Sequence, residues 1–271
     1  MTTRDRVAEE LAAYLRSIGL DDPWSDDPAV STRWQYSDDG ELYDPDRLTL
    51  HLDLIEAEMA KHTGITKKNS LGIVVTAGPP GAGKSTALSA DPLLRSYRSI
   101  DADAFKDPLL LGERDGALAP FLEHRLSDGR PVSLRELSAW VHAESTTIAS
   151  TMRERCLADG ENVIVHGTLS SADHTTELLE QLDQYSYRHL VIYDVETTSE
   201  RAVDQALGRW WADREANGDG LGGRFVTPDS IRQQYTSDAA VSDCAANAIA
   251  LRDTAEALDW TVDLKQLHTP T

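Results

Sequence analysis

Gly78-Pro79-Pro80-Gly81-Ala82-Gly83-Lys84-Ser85, continued by Thr86, is the stretch of this chain with the most chemistry in its spacing. It fits G-x-x-x-x-G-K-[ST], and it lies between an apolar run that reads as a buried strand and a segment that reads as the start of a helix. The glycines allow successive backbone N–H groups to converge on phosphate oxygens. Lys84 brings a cation to the β- and γ-phosphates, and the Ser85 hydroxyl can enter the shell of a Mg²⁺ ion. These residue types in this order imply a bound nucleoside triphosphate.

Two further groups bear on what the triphosphate is used for. Asp101 and Asp103, in Ser99-Ile100-Asp101-Ala102-Asp103-Ala104-Phe105-Lys106, follow the next strand-like run. In an open parallel sheet the carboxyl ends of strands face the ligand crevice, where a carboxylate can take the proton of an attacking hydroxyl. The alternative is two solvated turn aspartates in an Asp-rich chain, a reading that the preceding phosphate cradle weakens. Farther on, QALGRWWADREANGDGLGGRFVTP sets Gly218, Gly220, Gly222 and Gly223 between Arg209 and Arg224. The glycines read as a mobile segment able to close on a nucleotide, and the arginines as forked donors for phosphoryl oxygens. A plain surface loop whose arginines offset nearby acids is the alternative. No NKxD, no DxxG in a suitable loop and no oligomer-type arginine finger is visible, which speaks against a GTPase or a motor-type ATPase.

The elements that must position these groups can be read from periodicity. Short apolar runs at 71–77, 97–101, 162–167, 189–195 and, more weakly, 260–264 alternate with helical stretches starting near Lys84, Ser133, Ala172, Ser199 and Pro228. That alternation predicts an α/β domain of the P-loop NTPase type, three-layered with a mainly parallel sheet. Ahead of it, Val7, Leu11 and Leu15 recur at helical spacing behind Thr2 or Thr3. A second helix is expected from about Asp44 to His62 with Leu48, Leu52, Ile55 and Met59 on one face. The Asp-, Ser- and Pro-rich segment between them reads as a loop. The expected organisation is a helical N-terminal extension at 1–69 and the α/β domain at 70–271. The extension is either a brace on the sheet or a cover over the nucleotide entrance.

The 271 residues include 26 Lys and Arg against 46 Asp and Glu, a formal net charge of -20. An acidic surface repels phosphate backbones, so a nucleic-acid partner is disfavoured. No apolar run reaches the length of a membrane helix, so no membrane partner is expected. The start of the chain reads as an amphipathic helix rather than a secretory leader. With only Cys156 and Cys244, read as two buried thiols, a cytoplasmic location is expected.

In combination, GPPGAGKST after one strand, IDADAFK after the next, a strand ending in HGT and then GGRFVTP resemble the zeta toxin family of P-loop small-molecule kinases over about residues 71–235. The resemblance implies ATP and Mg²⁺ as cofactors and a small-molecule acceptor, a hydroxyl of UDP-N-acetylglucosamine. It also implies a small helical antitoxin as a candidate partner, since many members are toxins restrained by one. It implies Asp103 as catalytic base, Lys84 and Ser85 as the P-loop lysine and metal-associated hydroxyl, and Arg209 and Arg224 as phosphate-stabilising arginines. Asp101, Phe105, Glu144, His166 and Thr168 would lie on the acceptor side. Two positions depart from the pattern. The family's E-G-T is His166-Gly167-Thr168 here, and the family's substrate-contacting glutamate falls near Ser150, with Glu144 the nearest acid. Those departures leave phosphoryl transfer intact and open the acceptor to other classes: another nucleotide cofactor, an antibiotic or an amino acid. His166 reads either as an acceptor-binding donor or as a core histidine. An ATP-binding switch that transfers nothing is the reading from a different class.

Overall fold

The computed structural model describes residues 2–62, 64–65, 72–236 and 241–268. The expected boundary at 69/70 and the first residue of the expected strand, Leu71, lie outside the described residues.

The apolar runs form strands β1 (Gly72–Ala77), β2 (Arg98–Ile100), β3 (Val163–Val165), β4 (His189–Glu196) and β5 (Thr261–His268). They make one sheet in the order β2-β3-β1-β4-β5, parallel at each pairing. All six residues of β1 are buried, as expected of a central parallel strand covered on both faces. Strand β5 runs four residues past the expected end: the alternation of Thr261-Val262-Asp263-Leu264 breaks at Lys265, but Lys265-Gln266-Leu267-His268 stay paired with Tyr193–Glu196 of β4 at the sheet edge.

By contacts the chain resolves into two units that interleave in sequence. One comprises residues 62–101, 150–205 and 228–271, and the other residues 1–61, 102–149 and 206–227.

The first unit holds the sheet with α4 (Lys84–Ser89), α8 (Ala172–Gln184), α10 (Pro228–Arg232) and α11 (Asp243–Ala257). Leu88 of α4 is buried with Val74, Ile164 and Tyr193. Helix α11 starts behind Ser242, whose N–H and Oγ donate to the buried Glu196 carboxylate at 2.8 and 2.7 Å. A carboxylate there satisfies an orphan donor at the helix start. Beneath β2, Arg98 donates to both oxygens of Glu161 at 2.8 and 3.1 Å, and both side chains are buried.

The second unit is helical. Helix α1 (Thr3–Ser17) opens with a reciprocal cap between Thr2 and Asp5 and buries Val7, Ala8, Leu11 and Leu15, the stripe its spacing predicts. A short helix, α2 (Thr32–Gln35), occupies the segment expected to be loop. Helix α3 (Pro45–Ala60) buries Ile55 and His51, while Leu48 is 38% and Leu52 56% exposed. The face turned inward is therefore rotated from the one expected. Helices α5 (Asp103–Glu113) and α6 (Ala119–Leu122) follow, then a 3₁₀ segment (Leu134–Val141). Helices α7 (His142–Ala158) and α9 (Ser199–Ala216) are divided in sequence between the units. The later part of α9 is fixed by Arg214, which is 2% exposed. It donates to both oxygens of Glu136 at 2.8 and 2.9 Å and to both of Asp128 at 2.9 and 3.0 Å. Trp210 Nε1 donates to the same Glu136 at 2.8 Å. The whole cluster is internally paired, as burial of charge requires. Of the adjacent tryptophans, Trp210 is the core residue and Trp211 is half-buried.

Candidate active site

In the sheet unit the phosphate-cradle sequence forms the expected turn between β1 and α4. Gly78 has φ 120°, and a Cβ there would lie 2.1 Å from the Val195 carbonyl oxygen, so the position admits only glycine. The loop is tied to the end of β3 by Gly78 N–H donating to Thr168 O at 3.0 Å. Gly81 and Gly83 also have left-handed φ, 87° and 97°, with Pro79, Pro80 and Ala82 between and beside them. Lys84 Nζ donates to the Gly78 and Pro79 carbonyls at 2.5 and 2.9 Å, which holds the ammonium over the loop. Ser85 and Thr86 are exposed in the first turn of α4. With its amide nitrogen toward the Gly81 carbonyl, Gln205 accepts from Arg201 Nε at 2.9 Å. Sequence reasoning missed this pair; its signal is the i,i+4 spacing of Arg201 and Gln205 on α9.

At the ends of β2 and β3, Ser99 Oγ and His166 Nε2 lie 2.8 Å apart. Both line a groove of about 460 Å³ with Ser85, Ser89, Asp91 and Arg95. His166 is thus half-buried on a groove wall and is not a core histidine. Gly167 N–H donates to Thr76 Oγ1, which in turn donates to Gly167 O, both at 2.9 Å. Thr168 Oγ1 donates to Ser170 Oγ at 2.9 Å. Asp101 is half-buried at the end of this unit.

The helical unit resumes in sequence one residue later and carries the second acid. Asp103 heads α5 and is gripped by two cations: Lys106 Nζ at 2.8 Å from Oδ1 and Arg224 Nη1 at 2.8 Å from Oδ2. Desolvation pushes its carboxyl up, but the charges and hydrogen bonds of Lys106 and Arg224 outweigh it and take the value down to about 2. Arg224 Nη2 also donates to the Asp103 carbonyl at 2.6 Å and reaches Asp107 Oδ1 at 3.3 Å, while its Nε is buried without an acceptor. Arg135 takes the other side of Asp107, with Nε at 3.0 and 3.2 Å and Nη2 at 2.7 Å. The glycine segment before Arg224 is not uniformly loose. A Cβ at Gly222 would come within 2.1 Å of Ser133 Oγ, and one at Gly223 within 2.2 Å of the Trp210 carbonyl oxygen. Arg209 is exposed on α9 and has no hydrogen-bond or ion-pair partner among the described residues.

Two expected acceptor contacts are corrected by the structure. Phe105 is 1% exposed and belongs to the core of the helical unit. Glu144 has no exposed surface; Arg47 of α3 grips it through Nε at 2.5 Å and Nη2 at 2.8 Å, and His51 Nε2 lies 2.7 Å from Oε1. Arg47 Nη1 also reaches Glu113 at 3.1 Å. Glu144 is the anchor of the N-terminal helices, because a buried carboxylate needs an ionic partner and α3 supplies one.

The described residues include no group of three or more His, Cys, Asp or Glu that could hold a metal, and no helix among them is long and apolar enough to cross a membrane. A Mg²⁺ ion delivered with phosphates needs no such cage, since it keeps several waters and one or two protein oxygens. The exposed Ser85 hydroxyl fits that demand.

Residues 126–257 match the zeta toxin family model. A calmodulin calcium-dependent NAD kinase of Arabidopsis thaliana is 33% identical over 121 residues, 42% of this chain. The chain spans about a fifth of that relative's length, 21%. Among solved structures, the AvrRxo1-ORF1:AvrRxo1-ORF2 complex with sulphate ions is similar with a TM-score of 0.58 at 16% identity, over 91% of this chain and 70% of that one. The same complex with ATP gives 0.56 at 14% identity over 84% and 65%. A structure of the PezAT chromosomal toxin-antitoxin system of Streptococcus pneumoniae gives 0.52 at 13% identity over 83% and 78%. These likenesses are of fold.

Proposed function

From the match of residues 126–257 to the zeta toxin family model, we propose that this chain transfers the γ-phosphoryl group of ATP to a hydroxyl of a small nucleotide acceptor. The observation that carries the reading is Asp103, a carboxylate kept ionised by Lys106 and Arg224 in a chain whose β1–α4 turn is a phosphate cradle. The acceptor oxygen forms the new O–P bond, the bond between the γ-phosphorus and its bridging oxygen breaks, and ADP leaves. The acceptor's proton passes to the Asp103 carboxylate and then to water. An ordinarily weak base suffices, because phosphoryl transfer rests mainly on positioning and charge stabilisation. Lys84 and the cradle N–H groups bind the phosphates, and Arg224 stabilises charge on the transferring group; Arg209, exposed and unpaired, serves the same end once ATP is bound. The Ser85 hydroxyl would help to hold a Mg²⁺ ion brought in with ATP, which would supply neutralisation of the phosphate charge.

For the acceptor we favour a dinucleotide cofactor such as NAD over UDP-N-acetylglucosamine. Both acids of the sugar-nucleotide pattern are unavailable here: one is His166, and Glu144 is taken by Arg47 and His51. A site's buried polar partners decide which hydroxylated ligand it accepts, and the relative from Arabidopsis thaliana is named for NAD. UDP-N-acetylglucosamine is the second reading, favoured by the retained Gly167-Thr168 strand end. Asp101 and Thr168 line the acceptor side in either case. A cytoplasmic setting fits the two buried free cysteines, and a small antitoxin partner fits the PezAT likeness. We read residues 70–271 as the kinase portion and the N-terminal helices as a brace on the helical unit, in which residues 1–61 fold with 102–149 and 206–227.

The test is an acceptor panel containing NAD and UDP-N-acetylglucosamine, read as ADP release and as an acceptor mass increase of about 80 units. Asp103→Asn should lower the rate by about 10²-fold or more. ATP-dependent stabilisation without ADP from any acceptor would instead make the chain a nucleotide-responsive binding module.

A further inference from the structure

Arg135 belongs to no expected site, yet its guanidinium heads a charge ladder that runs to Asp103. We propose that Arg135 is a positioning residue: by holding Asp107 and the loop carbonyls, it keeps Arg224 on Asp103. The inference rests on the phosphotransfer reading above for its kinetic consequence, but its geometry stands in the helical unit alone.

Arg135 works on both elements that carry the pair. Toward α5 it neutralises Asp107, one helical turn beyond Asp103. Toward the glycine loop its N–H donates to Leu221 O at 3.0 Å, its Nη1 to Gly222 O at 3.0 Å and its Nη2 to Asp219 Oδ2 at 2.7 Å. The close fit of Gly222 and Gly223 lets the chain follow that path, so Arg224 leaves the loop in one direction.

The ladder then alternates in sign: Arg135, Asp107, Arg224, Asp103, Lys106. Arg224 has two carboxylates in reach. It favours Asp103, at 2.8 Å with a further 2.6 Å bond to the carbonyl, over Asp107 at 3.3 Å. What sets the preference is that Asp107 is already satisfied by a forked arginine contact, the geometry guanidinium and carboxylate share best. Without Arg135, Asp107 would be an uncompensated carboxylate beside Arg224 and would draw it away from Asp103. Asp219, 52% exposed, would simply turn to water.

Removing the competitor should repair the loss, an outcome that a merely structural role for Arg135 would not give. Arg135→Met is expected to lower ADP release by about tenfold to a hundredfold with KM for ATP unchanged. Adding Asp107→Asn should recover most of the loss, although the double variant has fewer ion pairs than either parent. Asp103 carboxyl titration by ¹³C NMR gives a second readout that needs no turnover. The Asp103 midpoint should rise in Arg135→Met and fall back in the double variant. Arg135→Lys, which keeps the charge but loses the fork, covers the case in which Arg135→Met does not fold; it should fall between the two. A single variant with the wild-type rate and midpoint, or a double variant no better than the single, overturns the inference. If the wild type phosphorylates neither NAD nor UDP-N-acetylglucosamine, the functional reading fails separately and the titration decides on Arg135.

Discussion

Arg47→Met probes what holds the N-terminal helices to the rest of the helical unit. Arg47 is the common partner of Glu144 and Glu113, whose side chains are 0% and 6% exposed, and its own is 10% exposed. Methionine fills much of the same volume, so the loss is mainly of charge compensation for two buried carboxylates. Removing one partner of such a cluster costs about 3–5 kcal/mol. A chain of this length unfolds with an entropy of about 0.6 kcal/mol/K, so Tm should fall by about 5–9 °C, or about twice that if the helical unit melts by itself. The pH dependence checks the cause. Desolvation raises the Glu144 carboxyl, but hydrogen bonds from His51 and Arg47 prevail and hold it below its ordinary value. Its contribution is therefore present above the unfolded value near 4.3 and lost as pH falls through the lower folded value. In Arg47→Met the folded value rises, so the difference from wild type should shrink between about pH 7 and about pH 4. Differential scanning calorimetry at both pH values measures it. A drop under about 1 °C at neutral pH, or a difference that does not narrow, would refute the buried-clamp argument.

The remaining expectations concern the two loops. Gly223→Ala places a Cβ against the Trp210 carbonyl oxygen and should destabilise the chain by about 1–3 kcal/mol in urea unfolding. His166→Glu restores the carboxylate of the E-G-T pattern beside Ser99. It should shift the kcat/KM ratio from NAD toward UDP-N-acetylglucosamine; an unchanged ratio would remove His166 from acceptor choice.

Features set by local sequence were legible. The apolar runs became strands because each is short, β-branched and bounded by turns, and the cradle formed because its glycines answer a backbone requirement at those positions. Helix α11 escaped notice because DCAANAIALRDTAEA is nearly uniform in small residues, which leaves little apolar contrast at helical spacing. The inward face of α3 was misjudged because Arg47 and His51, polar by type, are drawn in by Glu144, 97 and 93 residues away. Periodicity cannot register a partner at that distance. Phe105 joined the acceptor group by motif position alone, and amphipathic packing of α5 claims it instead. The glycine segment was read as mobile, since composition does not separate glycines chosen for freedom from glycines chosen for lack of a side chain.

That last distinction divides the segment unevenly. Around Gly222 and Gly223 any added atom meets a neighbour, whereas nothing lies within 4 Å of a Cβ placed at Gly218, and its φ is not left-handed. A cysteine introduced there for a fluorophore or spin label would stand clear of the helical unit, six residues before Arg224. Gly218 is thus an attachment point from which the arginine's movements could be followed during turnover, in a chain whose own thiols are both buried.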